Sequence, residues 1–269
     1  MTARAFVGMA GWTFAPWRGD FYPEGLRQKD ELAHAASRLS SLEINGTFYS
    51  MQKPGSWMTW RDAVPDDFVF SVKGPRFITH VRGLDDVREP LANLFASGIL
   101  ALGPKLGPIL WQLPPDHEYD ERRTEAFLAL LPTTTGEALE LAQERSERMT
   151  GREHLEIGAD RPLRHAFEPR SATFDDPAFA AQLERHGAAA VFGDSDGRWP
   201  RLDWVTADFA YARLHAHGHP DGYRADELEA WQEWAEDHLD HDRDAFLYCD
   251  DEVKTRSPHD AVALAALLA

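Results

Sequence analysis

Eight short apolar runs punctuate the chain, at Phe6–Ala10, Leu42–Ile44, Phe68–Val72, Pro108–Leu113, Ala166–Phe167, Ala188–Phe192, Phe209–Leu214 and Ala245–Cys249. Amphipathic stretches lie between them. Glu31–Leu39, Pro90–Leu102, Glu121–Leu131, Pro177–His186, Asp226–Leu239 and Pro258–Leu268 each carry apolar residues at three- and four-residue spacing, which predicts helices. Strand–helix alternation implies a parallel sheet, because parallel neighbours need a long crossover between them. Eight strands in 269 residues match a closed (β/α)8 barrel of the TIM type, an α/β fold. The open doubly wound sheet is the alternative. No G-x-G-x-x-G opens a helix after the first strand, which argues against its dinucleotide-binding form. Asp176 before Pro177 and Ser257 before Pro258 read as hydroxyl or carboxylate caps followed by proline at the first helical position. Pro132–Leu163, with a helical run at Glu137–Met149, exceeds what a bare barrel needs and reads as an elaboration between strands four and five. No linker or internal repeat interrupts the pattern, so residues 1–269 are expected to form one domain.

Composition narrows the function classes. A formal charge of −17 repels phosphate backbones and anionic lipids at long range, which argues against extended nucleic-acid binding. No apolar stretch reaches the ~20 residues that span a bilayer, and residues 1–9 lack the apolar run of a signal peptide. Cys249 is the single cysteine, which excludes an internal disulfide and fits a reducing, cytoplasmic setting. The sequence specifies no oligomeric state, and the expected partner is a small-molecule ligand.

The ends of the runs carry the functional signal. Strands of a parallel barrel are buried on both faces and are expected to be almost wholly apolar. Here a polar residue recurs at nearly every C-terminal end: Glu43 and Asn45, Lys73, Gln112, Glu168 and Arg170, Asp194, Arg213 and His215, then Asp250 and Asp251. Residues two apart share a face, so Glu43 with Asn45, Glu168 with Arg170, and Arg213 with His215 are expected to point together toward the barrel axis. The C-terminal mouth is where barrels of this type build sites. The alternative is a structural lattice in which the carboxylates pair with Lys73, Arg170 and Arg213.

The motifs Glu43-Ile44-Asn45-Gly46-Thr47-Phe48-Tyr49, Phe70-Ser71-Val72-Lys73, Leu106-Gly107-Pro108-Ile109-Leu110-Trp111-Gln112-Leu113-Pro114-Pro115, Ala166-Phe167-Glu168-Pro169-Arg170, Thr206-Ala207-Asp208-Phe209 and Arg213-Leu214-His215 resemble the YecE-like family of domains of unknown function. Gly11-Trp12, Trp17-Arg18-Gly19 and Phe21-Tyr22-Pro23 extend the resemblance toward the N-terminus. It implies a TIM-type barrel and brings no assigned reaction. It makes Glu43, Asn45, Lys73, Gln112, Glu168, Arg213 and His215 the candidates for a shared site. Two positions depart from the family pattern: Ser171 stands in place of a histidine, and Tyr248-Cys249-Asp250-Asp251-Glu252 lacks the usual amide.

Two carboxylates kept in different protonation states can act as general acid and base, and Glu43 with Glu168 is the natural pair. They sit on strands far apart round the barrel and are expected to flank a ligand. Lys73 is a further catalytic candidate. It becomes an amine nucleophile if burial lowers its pKa, although nearby carboxylates are expected to raise it. Asn45, Gln112, Arg170, Asp194, Arg213, His215 and Asp250 are expected to contact substrate. Trp12, Trp17, Tyr49 and Trp111 are candidate stacking platforms for a sugar. No cofactor is predicted. A divalent metal on Glu43, Glu168, Asp194 and His215 is the weaker alternative, because Lys73, Arg170 and Arg213 would repel a cation. His217 and His219 read as a polar loop. Lys254 and Arg256, ahead of the helix at Ser257, form a candidate phosphate loop. The overall expectation is an enzyme acting on a polar metabolite that carries sugar, phosphate or carboxylate groups. A metal-dependent phosphodiesterase or isomerase, and a non-catalytic binding protein, are the alternatives.

Overall fold

The computed structural model describes residues 2–216, 219–251 and 253–269. Each of the eight runs forms a strand: β1 (Ala5–Met9), β2 (Ser41–Ile44), β3 (Val69–Lys73), β4 (Leu106–Gln112), β5 (His165–Glu168), β6 (Ala189–Asp194), β7 (Phe209–Leu214) and β8 (Asp244–Cys249). Every ladder is parallel, in the order β1-β8-β7-β6-β5-β4-β3-β2. The ring closes at β1 and β2 through a single bridge between Ala10 and Glu43, with Gly11 N–H donating to the Glu43 carbonyl at 2.9 Å. The seam is narrow. A Cβ on Gly8 would stand 2.3 Å from the Ser41 carbonyl oxygen, so only glycine permits the approach.

The helices are α1 (Glu31–Ala36), α2 (Gly46–Tyr49), α3 (Pro54–Asp62), α4 (Arg88–Ala96), α5 (Glu121–Leu128), α6 (Thr135–Ala142), α7 (Pro177–Arg185), α8 (Ala225–Asp240) and α9 (Ser257–Leu267). Asp176 caps α7 as expected, accepting from Ala178 N–H at 2.8 Å. At α9 the expectation fails. Ser257 is already inside the helix, and its hydroxyl instead accepts from Asp251 N–H at 3.1 Å. The elaboration before β5 holds α6 and a one-turn helix at Glu147–Met149 in place of one continuous run. Among the described residues, residues 195–208 between β6 and β7 contain no helix or strand.

Alternation along the strands sorts the core into two layers. Phe6, Leu110, Ala166, Val191, Phe209, Tyr211, Phe246 and Tyr248 fill the barrel interior. The intervening residues, such as Leu42, Phe70, Trp111, Phe167 and Leu247, pack outward under the helices. Within the interior a hydroxyl layer sits above the phenylalanines. Ser41 Oγ lies 2.7 Å from Tyr248 Oη, and Ser71 Oγ lies 2.8 Å from Tyr211 Oη. The charged ring rests on this layer.

Candidate active site at the barrel mouth

Arg213 on β7 is the hub. Its guanidinium is fully buried. It donates to Glu43 at 2.9 and 3.2 Å, to Glu168 at 2.9 Å and to Asp250 at 2.7 Å. Tyr211 Oη donates to the same Glu43 carboxylate at 2.6 Å and ties the ring to the hydroxyl layer below. Glu168 also accepts from Gln112 Nε2 at 2.6 Å and from Arg170 at 3.0 and 3.2 Å. Burial pushes the Glu168 carboxyl up, but Arg213, then Arg170 and the His215 ring, more than offset this and hold it well below the usual carboxylate range.

Lys73 closes the ring on the β3 side. Among the described residues no carboxylate lies within ion-pair distance of its Nζ, which stands 4.5 Å from the centre of the Phe48 ring. The neighbouring carboxylates were expected to raise its pKa. Burial, reinforced by the Arg213 charge, wins over Glu43 and Glu168 and lowers the amine to about 7. His80, on the π-helical turn Phe77–Val81 that follows β3, is pushed down to about 4 by burial and by the Lys73 charge.

Beside this lattice, toward β5 to β8, a cavity of about 220 Å³ opens. Its walls include Arg170, Arg198, His215, Asp250, Asp251 and Lys254. Asp250 is covered by Arg213 and by Lys254 Nζ. Burial and the Arg213 charge lower the Lys254 amine to about 8. Among the described residues, two buried groups on this wall make no direct hydrogen bond: His215 Nε2, which lies 3.7 Å from Glu168, and the two carboxyl oxygens of Asp251. The His215 ring is lowered by burial against the opposing Glu168. Burial, then Asp260, raises the Asp251 carboxyl to about 8, so near neutrality it is an acid with a proton to donate.

Residues 6–269 match the family described as protein of unknown function DUF72. The chain belongs to the DUF72 family. A curated relative, the UPF0759 protein YecE of Escherichia coli strain K12, is 28% identical over 132 residues, covering 49% of this chain and 45% of that protein. The match thus spans less than half of that relative's length. A solved DUF72 family protein from Thermotoga maritima superposes with a TM-score of 0.75 at 22% identity, over 98% of this chain and 99% of that one. Another from Enterococcus faecalis gives 0.68 at 15% identity, over 99% and 98%. At these identities the solved structures bear on the fold, and they agree with the eight-stranded barrel.

This DUF72 barrel gathers Glu43, Lys73, Gln112, Glu168, Arg170, Arg213, His215 and Asp250 at one end, as the strand-end pattern predicts. Glu43 and Glu168 do not stand apart, because the Arg213 guanidinium spans both. It fills the place a cation would take between them. Asn45 heads α2 at the rim, with its buried Oδ1 unpartnered. Asp194 does not join the ring. It shares the outward register of Phe192 and accepts from Tyr223 Oη. The metal candidates Glu43, Glu168, Asp194 and His215 therefore do not converge, and no group of three or more metal-binding side chains occurs among the described residues.

The proposed stacking platforms lie elsewhere. Trp17 and Trp111 are fully buried, donating to the Lys254 carbonyl at 2.7 Å and to His165 Nδ1 at 3.1 Å. Trp12 packs edge-on against Trp60, and Tyr49 is 75% exposed on α2. His217 lies outside the described residues. His219 pairs with Glu227 at 3.4 Å. Lys254 lines the cavity, whereas Arg256 does not. Ser171 caps the turn Ala172–Phe174 by accepting from Thr173 N–H. Sequence reasoning missed Trp199, which lines the cavity from the β6–β7 loop with the Arg170 guanidinium 4.6 Å from its ring centre. Nothing periodic surrounds it, so only its place in a long polar loop could have marked it. A larger cavity of about 580 Å³ opens at the opposite, N-terminal end, around Phe6, Leu131, Leu163 and Phe246. That cavity carries its own ion pairs, Arg164 with Asp244 at 2.6 Å and with Asp208 at 3.7 Å, but sites of this fold sit at the C-terminal end.

Proposed function

We propose that the chain is an enzyme acting on a small polar metabolite whose phosphate or carboxylate enters the cavity beside the Arg213 lattice. The observation that carries this reading is the cavity wall itself. Arg170, Arg198 and Lys254 line it together with His215, whose Nδ1 faces the Asp250 carbonyl at 3.2 Å, and with Asp251, whose buried carboxyl oxygens accept no hydrogen bond among the described residues. Buried polar groups without partners are costly, and an anion with attached hydroxyls would satisfy them.

In this reading Glu43 and Glu168 anchor Arg213, and Glu168, held ionised by two guanidinium groups, is a weak proton acceptor. Proton transfer then falls to Asp251 on the cavity wall and to the Lys73 amine, poised near neutrality on the β3 side of the lattice. The metal-dependent alternative draws less support, since its ligand candidates do not converge. The cytoplasm is the proposed compartment, in keeping with the single buried Cys249. Among the described residues no helix is long and apolar enough to cross a membrane.

The test is to incubate sugar phosphates and small carboxylates with the native chain and with Lys73→Met, following mass and melting temperature. A product formed by the native chain and lost in Lys73→Met, with the ligand-induced melting shift kept, supports an enzyme. A melting shift without product in the native chain would make it a binding protein. No shift with any anion would remove the reading.

A further inference from the structure

A second cavity, of about 450 Å³, adjoins the first. It lies between the β6–β7 loop and α8. Ser195 and Trp199 line both, so the two cavities share a wall. The chemistry changes from one to the other. The first is charged. The second is aromatic, with Phe192, Trp199, Trp231 and Trp234 on its walls. The rings of Phe192 and Trp234 are nearly parallel, with centres 5.8 Å apart, and Trp231 meets both at steep angles. The Arg201 guanidinium lies 4.7 Å from the Phe192 ring centre and adds a donor at the edge. Asp196 and Asp203, both exposed on the loop, put carboxylate acceptors at the rim of the same cavity.

From this arrangement we infer that the substrate of the proposed site is a nucleoside monophosphate. Its phosphate lies among Arg170, Arg198 and Lys254, and its base lies in the tryptophan-lined cavity. Flat heterocycles stack on indole and phenyl rings, and carboxylates accept from exocyclic amino groups. Trp199 is the junction. Arg170 stacks on it from the phosphate side, so one residue couples the two halves. The net charge of −17 opposes a polyanion along its length but leaves a single phosphate to the local cations. The inference rests on the anion-binding reading above and adds the class of substrate.

Calorimetric titration with adenosine 5′-monophosphate, ribose 5-phosphate and adenosine separates the two. Ribose 5-phosphate tests the anion site alone. Adenosine 5′-monophosphate is expected to bind about tenfold or more tightly than ribose 5-phosphate, the increment of one stacked base. Trp234→Ala, on the wall of the aromatic cavity alone, is expected to abolish that difference while leaving ribose 5-phosphate binding unchanged. Asp203→Ala, on the exposed rim, gives a second variant that does not touch the core. It is expected to weaken adenosine 5′-monophosphate and leave uridine 5′-monophosphate, which has no exocyclic amine, unaffected. Equal affinity for adenosine 5′-monophosphate and ribose 5-phosphate would overturn the inference and leave the anion site standing. An advantage for adenosine 5′-monophosphate that survives both variants would also overturn it. Binding of neither phosphate would remove both.

Discussion

Arg213 shows at single-residue scale how a buried charge is made tolerable. Its guanidinium is surrounded by three carboxylates, and each carboxylate has a further donor: Tyr211 for Glu43, Gln112 for Glu168, Lys254 for Asp250. Arg213→Met is expected to cost about 3–5 kcal/mol in denaturant unfolding, because it strands buried carboxylates rather than merely deleting a pair. Lys73 and Asp251 predict opposite pH dependences. The Lys73 amine titrates near 7 in the folded chain and at about 10.4 when unfolded. Below pH 7 both states hold the proton, and the native state carries the full cost of a buried charge. Between those values only the unfolded chain stays protonated, so stability rises with pH. Lys73→Met should therefore stabilise most at pH 6 and least near pH 10, read from unfolding midpoints. The Asp251 carboxyl titrates near 8 when folded and at about 3.9 when unfolded. Across that window only the unfolded chain releases its proton, and native stability falls by at most about 1.4 kcal/mol per pH unit. Asp251→Asn should gain stability at pH 8 and gain nothing at pH 4. These values explain what the sequence could and could not convey. That Glu43, Glu168 and Arg213 face inward is legible from two-residue alternation. That Lys73 falls toward neutrality is not, because it depends on how deeply the amine is buried.

At the scale of elements, all eight strands were legible. Short apolar runs bounded by turn residues have few other uses in a chain of this length. The short helices were not. α3 begins at Pro54 and has only Trp57 fully buried, so no apolar stripe announces it. Asp194 was misplaced for a related reason. It stands one residue beyond Gly193 at the end of β6, and a shift by one residue moves a side chain to the other face. The closing seam depends on Gly8. Gly8→Ala should lower stability by about 1–3 kcal/mol, since the Ser41 backbone on β2 must retreat to admit a methyl group. A melting temperature unchanged by that substitution would show that β1 and β2 are not in close contact. The β6–β7 connection is the element with the largest functional content. Loops of its length without internal structure are uncommon in compact folds and often carry sites. This one supplies Trp199 to both cavities.

On the scale of the whole molecule, the strongly acidic surface and the cation-lined mouth work on different ranges. The net charge acts out to about the Debye length, whereas Arg170 and Lys254 act in contact. The chain should therefore leave duplex DNA unretarded in a gel-shift assay even at low salt, while still taking a single phosphate group. The most direct measurement is calorimetric titration of ribose 5-phosphate into the native chain and into Lys254→Met. Saturable binding by the native chain, weakened about tenfold or more in Lys254→Met at an unchanged melting temperature, is the expected result. No heat with the native chain, or equal affinity in the two proteins, would mean that the mouth is an ion-pair lattice that holds the barrel together and receives no anion.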